Sequence, residues 1–311
     1  MQVAILDDFQ NVALTSADWS GVRSRAAVTV FNDHLDDADE VVARLEPFEV
    51  LCVMRERTPL PRSIIERLPR LRMIASTGPV NASIDVTAAG ERGVHIAHTG
   101  YRSTPAIELT WALILAAARD VVGQAASVRA GGWQTSVGRE LSGRVLGLLG
   151  LGRIGGEVAS IGKAFGMDVI AWSENLTPER ARAVGAEWVS KEQLFRRADF
   201  LTIHLVLSDR SRDLVRASDL MEMKPTSWLI NTARGPIVEE AALVEALTSK
   251  SIAGAALDVF DSEPLPQDHP FRTLPNVIAT PHIGYVVEDL YRTFYEDSAA
   301  NIEAWLKSAH D

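Results

Sequence analysis

The chain is expected to fold as an α/β protein of two domains, each a parallel sheet with helices on both faces. Three observations lead there. Short β-type runs alternate with helical stretches almost from end to end, which is the pattern of helix-covered parallel sheets. A second set of such runs begins after Gly131-Gly132-Trp133 and repeats the element order of the first. The 311 residues also suffice for about two ordinary domains of roughly 150 residues.

The first third offers strand candidates at 3–6, 28–31, 50–53, 72–75 and 94–97, with helical stretches at 36–45 and 61–68 between them. The long apolar run at 109–118 sits between Glu108 and Arg119-Asp120 and reads as part of a buried helix over about 104–119. That helix is the expected crossover into the second domain. Further strands are expected at 145–149, 169–172, 200–204, 228–231, 254–259 and 277–279. Thr177-Pro178 reads as an N-cap followed by Pro in the first turn. Ser190-Lys191-Glu192-Gln193 reads as a capping box. The stretch 287–307 is one amphipathic helix whose apolar face needs a partner, and a return to the first domain supplies it. The boundaries expected are therefore 1–102 plus 286–311 for one domain and 103–285 for the other.

Composition narrows the function. Apolar residues make up 47% and charged residues 23%, the mix of a folded soluble chain. The net charge of −10 repels a phosphate backbone and argues against nucleic acid as a partner. No apolar run reaches the ~20 residues needed to span a bilayer. The start lacks the basic region and apolar core of a signal peptide. The single Cys52, inside an apolar stretch, reads as a buried thiol. Together these predict a cytoplasmic protein. His95, His98, His269 and His310 have no metal-ligand spacing, so no metal is expected.

Residues 144–156 read RVLGLLGLGRIGG. Gly150, Gly152 and Gly155 form G-x-G-x-x-G directly after an apolar strand and directly before a helix. The first glycine permits the tight turn, the second lets backbone approach a pyrophosphate, and the third lets helix pack on strand. The amides around Arg153 and Ile154 then face the anion along the helix dipole. About 20 residues on, an acid normally holds the adenosine ribose. Here the strand end is Ser173, with Glu174 next and only Arg153 and Arg180 as nearby cations. NAD(H) is favoured, and NADP(H) stays open.

Three later strand ends carry charge beside glycine or proline: Arg234 in INTARGPIV, Glu263 in LDVFDSEPLP and His282 in IATPHIGY. Ligands of open α/β sheets bind outside the carboxyl ends of the strands, so all three side chains can reach the dinucleotide edge.

The chain resembles the D-2-hydroxyacid dehydrogenase family, the D-isomer-specific NAD-dependent enzymes with phosphoglycerate and hydroxypyruvate/glyoxylate-type members. The resemblance covers ELSGRVLGLLGLGRIG, DFLTIHL, INTARGPIV, AALDVFDSEPLP and PNVIATPHIGY, in that order. It implies two Rossmann-like domains with the active site in the interdomain cleft, 1–102 plus 286–311 binding substrate and 103–285 binding the dinucleotide. It implies that Arg234 binds the substrate carboxylate, that His282 is the acid/base and that Glu263 is its partner. Asp258 matches the position that holds the nicotinamide carboxamide, and His204, Thr232, Ala233 and Gly284 match positions lining the cofactor. The implied substrate is a small 2-keto or 2-hydroxy acid. The chemistry agrees: imidazole titrates near neutral pH, and a guanidinium fork matches a carboxylate.

The chain departs from the family pattern in two places, besides a minor one at Val206, where Pro is usual after His204-Leu205. Residues 77–85 read TGPVNASID, with Val80 and Ala82 where Gly and Asp are common, so Gly78 and Pro79 are the expected substrate contacts of an altered loop, Gly78 and its neighbours offering backbone N–H groups to the carboxylate. Arg55, after the preceding strand, is a further candidate, a solvated loop charge being the alternative. Tyr285 follows Gly284 where a second glycine is usual, as a substrate contact or a packing residue. The segment about 120–142 matches the dimer contact of relatives, so a homodimer is expected. A dinucleotide-sensing, non-catalytic binding protein of the corepressor type is the alternative function on this scaffold. Formate-type relatives pair the histidine with Gln, whereas Glu263 stands here.

Overall fold

The computed structural model describes residues 1–308. The chain divides into two compact units, one built from 1–102 together with the segment from 286 onward, the other from 103–285.

Among the described residues the first unit holds five parallel strands: β1 (Gln2–Ile5), β2 (Ala27–Val30), β3 (Val50–Val53), β4 (Met73–Ser76) and β5 (His95–His98), in the order β2-β1-β3-β4-β5. The apolar runs VLCV and MIAS of β3 and β4 are buried at every residue, as strands covered on both faces must be. The edge strands β2 and β5 have no fully buried residue. Asp37 caps the helix Ala38–Leu45 by accepting from the amides of Asp39 and Glu40, and Val41, Val42 and Leu45 turn inward. Asp85 caps Val86–Glu91 through the Ala88 amide. The final helix, Glu288–Ser308, buries Leu290, Tyr291, Phe294, Tyr295, Ser298, Ala299, Ile302 and Leu306. That three-and-four spacing is one stripe, and it packs on β4 and β5.

The second unit holds seven parallel strands: β6 (Val145–Leu149), β7 (Asp168–Trp172), β8 (Glu187–Trp188), β9 (Phe200–Ile203), β10 (Trp228–Asn231), β11 (Gly254–Leu257) and β12 (Val277–Ala279), in the order β12-β11-β10-β9-β6-β7-β8. The chain runs outward from β6 to β7 and β8, then returns to β9 on the other side. The crevice at the carboxyl ends of β6 and β9 is therefore the switch point of this sheet. The helix Thr104–Arg119 packs on the helix Arg153–Ala164 and on β10 and β11, burying Ile107, Trp111, Leu113 and Ile114. Thr177 and Ser190 cap the following helices as expected, the latter in a complete capping box.

Several expected elements shift by a residue or two at their ends, as with 72–75 against Met73–Ser76 and 36–45 against Ala38–Leu45, and four further differences have a physical reason. β9 stops at Ile203 rather than at 204, and β11 at Leu257 rather than at 259, because the chain there leaves the ladder to build loops. The helix expected over 61–68 is confined to Arg62–Ile65. β8 went unforeseen, since two exposed residues at a sheet edge leave no apolar pattern.

Beyond β1 the chain turns at Asp7, which has φ 57° and is buried. Its carboxylate accepts from Thr58 Oγ1 at 2.7 Å and faces His34 Nδ1 at 2.9 Å. The other ring nitrogen of His34 lies 3.3 Å from Asp36. The hydrogen bond to Asp7 raises the His34 pKa, aided by the charges of Asp7 and Asp36 and opposed by burial. A raised folded value stabilises the protein fully below the ordinary histidine value of 6.5, and that stability is lost as pH climbs through the folded value. The urea midpoint of wild type should exceed that of His34→Gln at about pH 5.5, and the gap should close by about pH 9. A gap of constant size across that range contradicts this account.

Candidate active site

The glycine loop follows from β6, whose apolar run ends at Leu149. Gly150 has φ 103°, and a Cβ there would lie 2.5 Å from the His204 carbonyl oxygen and 2.8 Å from its carbon. Backbone cannot yield to a side chain, so only glycine serves. A Cβ on Gly155 would strike the Gly150 carbonyl, while around the Cβ position of Gly152 there is open space. Gly152 begins the helix Arg153–Ala164, and no side chain caps it. The first-turn amides, at Arg153, Ile154 and Gly155, are thus left to an anion that can approach over Gly152. A pyrophosphate fits this cradle on the observed backbone.

Around the cradle, Ser173 follows β7 directly and is half-buried, with the exposed Glu174 next. His204 follows β9, and its amide donates to the Leu149 carbonyl at 2.8 Å. Its ring nitrogen meets Thr202 Oγ1 at 3.1 Å. Burial pushes the His204 pKa down to about 4, so the ring is neutral at pH 7 and brings no positive charge to the cradle. Thr232, just past β10, shares a hydrogen bond of 2.8 Å with Thr110 on the long helix. Ala233 donates its amide to Asn231 Oδ1 at 3.0 Å.

Arg234, Glu263 and His282 stand beyond the carboxyl ends of β10, β11 and β12, three adjacent strands. Neighbouring strands lie about 4.8 Å apart, so the three roots share one short stretch of sheet edge. Glu263 Oε2 accepts from His282 Nδ1 at 2.5 Å, and Glu263 Oε1 accepts from the Phe260 amide at 2.9 Å. The backbone therefore aims the carboxylate, and the carboxylate aims the imidazole. Nδ1 is committed, which leaves Nε2 as the ring's other proton site. Two residues before Glu263, burial pushes the Asp261 carboxyl up to about 6, helped by the charges of Glu240 and Asp213. His282 itself has φ 51°.

Asp258 holds that conformation in place. Its side chain accepts from Thr280 Oγ1 at 2.6 Å, from the Ile283 amide at 2.9 Å and from the Gly284 amide at 2.8 Å. Burial raises its pKa, and these bonds act against that rise. Gly284 is buried close to Asp258 and the long helix.

Sequence reasoning missed three residues of this edge. Asn231 bridges the Arg234 loop, taking the Ala233 amide and donating its Nδ2 to the Arg234 carbonyl at 2.9 Å. Thr280 is the side-chain partner of Asp258. Gly235 lies so close to the next loop that a Cβ would strike the carbonyl group of Phe260 and lie 2.6 Å from the Asp261 nitrogen. Only the glycine beside Arg234 was visible as a signal, and it read as part of a motif.

In the first unit, Arg55 is far from a solvated charge. It has φ 51°, its guanidinium donates to the Thr77 carbonyl at 3.0 Å, and it lies over the Tyr101 ring at 5.4 Å. A Cβ on Gly78 would collide with that guanidinium. The Gly78 amide donates to Thr99 Oγ1 at 2.7 Å, so it is not free for a carboxylate as expected, and Pro79 has no amide hydrogen. Tyr285, in the second unit, is buried with its ring against His282. His269, set aside as a ligand, bonds Glu240 at 3.0 Å, and His310 lies outside the described residues. No group of metal-ligating side chains occurs among the described residues, and none of their helices is long and apolar enough to cross a membrane.

A glycine cradle at the switch point of a doubly wound sheet, with ionisable groups along the same edge, is the layout of a dinucleotide-binding α/β protein. Residues 111–284 match the family model described as D-isomer specific 2-hydroxyacid dehydrogenase, NAD binding domain. The chain is 42% identical over 252 residues to the glyoxylate reductase of Aeropyrum pernix, covering 78% of this chain and 75% of that protein. It is 37% identical over 267 residues to the hydroxypyruvate reductase of Thermotoga maritima, covering 84% and 85%. The solved phosphoglycerate oxidoreductase of Vibrio cholerae o395 superposes with a TM-score of 0.92 at 38% identity, covering 100% of this chain and 99% of that one. The chain belongs to the D-isomer specific 2-hydroxyacid dehydrogenase family and is a dehydrogenase of that family that uses a nicotinamide dinucleotide.

The contact between the Gly235 and Phe260 loops predicts an effect on turnover. Gly235→Ala should cost roughly 10²-fold in rate by shifting the backbone that aims Glu263, with dinucleotide binding retained. Rate assays beside a fluorescence titration of the dinucleotide check this, and full activity in the variant contradicts it.

Proposed function

We propose that this enzyme reduces a small 2-keto acid to the D-2-hydroxy acid, and catalyses the reverse oxidation, with His282 as acid/base, Glu263 as its partner and Arg234 as the carboxylate anchor. The observation that carries the reading is the 2.5 Å bond between His282 Nδ1 and Glu263 Oε2, with Glu263 itself held by the Phe260 amide. A carboxylate in that place fixes the tautomer and the orientation of the ring. Relatives that act on glyoxylate and hydroxypyruvate support a substrate of two or three carbons.

When bound, the nicotinamide supplies a hydride for C2 of the keto acid. Arg234 binds the substrate carboxylate through its fork and sets which face of C2 is presented. His282 Nε2 gives its proton to the carbonyl oxygen as charge develops there, and takes it back in the oxidation. Glu263 keeps the imidazole in register through both directions. Gly150, Gly152 and Gly155, with the amides at Arg153 and Ile154, hold the pyrophosphate. Ser173 lies toward the adenosine ribose, and His204, Thr232, Ala233, Asp258 and Gly284 line the rest of the dinucleotide. Arg55 is proposed to add a second guanidinium for the substrate, with Gly78 and Pro79 beside it. NAD(H) is the proposed cofactor over NADP(H). Glu174 follows Ser173 at the end of β7, and its charge opposes a 2′-phosphate.

A homodimer is part of the reading. The helix Val121–Arg129 buries no residue, and Val122, Val128, Trp133 and Val137 are all exposed, Val137 at 98%. An apolar arm of this kind calls for a cover. Light scattering at micromolar concentration should give twice the chain mass, and a monomer rules the dimer out.

A spectrophotometric screen of glyoxylate, hydroxypyruvate, pyruvate and bulkier keto acids with NADH and NADPH tests the function. The small acids with NADH should be the best pair. His282→Ala should lower kcat by ~10²–10⁴ with dinucleotide binding unchanged. Dinucleotide binding without turnover of any acid overturns the reading in favour of a sensor.

A further inference from the structure

We infer that Tyr285 is a positioning residue for the His282 imidazole, acting through its ring rather than its hydroxyl; this rests on His282 being the acid/base. Tyr285 stands where the family resemblance leads one to expect glycine, and it is 6% exposed. Its ring centroid lies 5.4 Å from that of His282, with the planes at 77°. This is the edge-to-face arrangement that aromatic pairs prefer.

The imidazole needs a second contact. Among the described residues the ring's polar partner is Glu263 Oε2 on Nδ1, and a single hydrogen bond lets a ring pivot about that bond. Proton transfer at Nε2 requires a fixed direction as well as a fixed tautomer. Tyr285 supplies it, meeting the ring near a right angle and setting its plane. Both residues are anchored by one group. The Ile283 and Gly284 amides, between them in sequence, bond the buried Asp258 carboxylate at 2.9 and 2.8 Å. The His282 amide also donates to the Thr280 carbonyl at 3.0 Å. The backbone that carries the imidazole and the backbone that carries its neighbour therefore cannot drift apart. A glycine at 285 keeps the loop and loses the wall.

The test compares Tyr285→Phe and Tyr285→Leu, with His282→Ala beside them. Phe keeps the ring and Leu keeps apolar bulk without one. Tyr285→Leu should lower kcat roughly tenfold, with KM for the keto acid and the dinucleotide Kd within about twofold of wild type. Tyr285→Phe should restore kcat to within about twofold. In the free enzyme, the ring protons of His282 should show an aromatic ring-current shift by NMR that persists in Phe and disappears in Leu. A Phe variant as impaired as Leu overturns the inference and makes the hydroxyl the functional group. A Leu variant with wild-type kcat and an unmoved His282 resonance overturns it too. Retained turnover in His282→Ala instead removes the acid/base reading beneath it, which the ring-current shift by itself does not test.

Discussion

The proposed catalytic edge depends on one buried carboxylate. Asp258 is 1% exposed, a position that disfavours charge, and its pKa is raised by that burial. Thr280 Oγ1 and the amides of Ile283 and Gly284 make it tolerable as an anion. The exchange runs both ways. The donors stabilise the carboxylate, and the carboxylate ties the loop beyond β12 to the end of β11. Without it, the loop that carries His282 at φ 51° loses three of its bonds. Asp258, proposed to line the dinucleotide, thus has a structural task as well, since three of the roughly four acceptor sites of its carboxylate already serve the loop.

From that anchor the edge is assembled by backbone more than by side chains. Asn231 folds the Arg234 loop through two bonds, one to an amide and one to a carbonyl. Gly235 lets the loop settle against the Phe260 carbonyl, and the Phe260 amide aims Glu263. Gly150 does the same for the cradle, resting on the His204 carbonyl. Two glycines at two strand ends thereby set how closely neighbouring loops stack. The chemistry asks for imidazole and guanidinium within a substrate's length, and close-packed backbone gives that placement a rigidity that flexible side chains lack.

Most strands were legible because parallel sheets covered on both faces need unbroken apolar runs, as in VLCV of β3 and VLGLL of β6. β8 was not, since Glu187 and Trp188 are both exposed and pair only at the edge. Ends were less legible than centres. Asp258 and Val259 read as a continuation of β11, but the Asp258 side chain draws the chain into the loop. Arg234, Glu263 and His282 were visible as charges set beside glycine or proline at strand ends. Asn231 and Thr280 were not, because a polar residue closing a strand is ordinary until its partner is known. Gly78 shows the converse: its expected free amide is taken by Thr99, a partner 21 residues away that no local pattern reveals.

Backbone conformation sets two of the proposed site residues apart. Left-handed backbone is uncommon for a side chain other than Asn or Asp and persists only where surroundings over-determine it. Among the described residues three such positions occur: Lys250 closes the helix Glu240–Thr248, where left-handed backbone is common, and Arg55 and His282 are the two that end no helix. Each lies just beyond a strand, β3 in one unit and β12 in the other. Arg55 is held by Thr77 Oγ1 on its amide at 2.8 Å and by Asn81 Nδ2 on its carbonyl at 2.6 Å. His282 is held by Thr280 and by the Asp258 clamp. Relaxed turns at these strand ends would be easier to build from glycine or asparagine. That an arginine and a histidine occupy them, each fixed by several bonds, is what a requirement for their side-chain direction predicts and what packing alone does not.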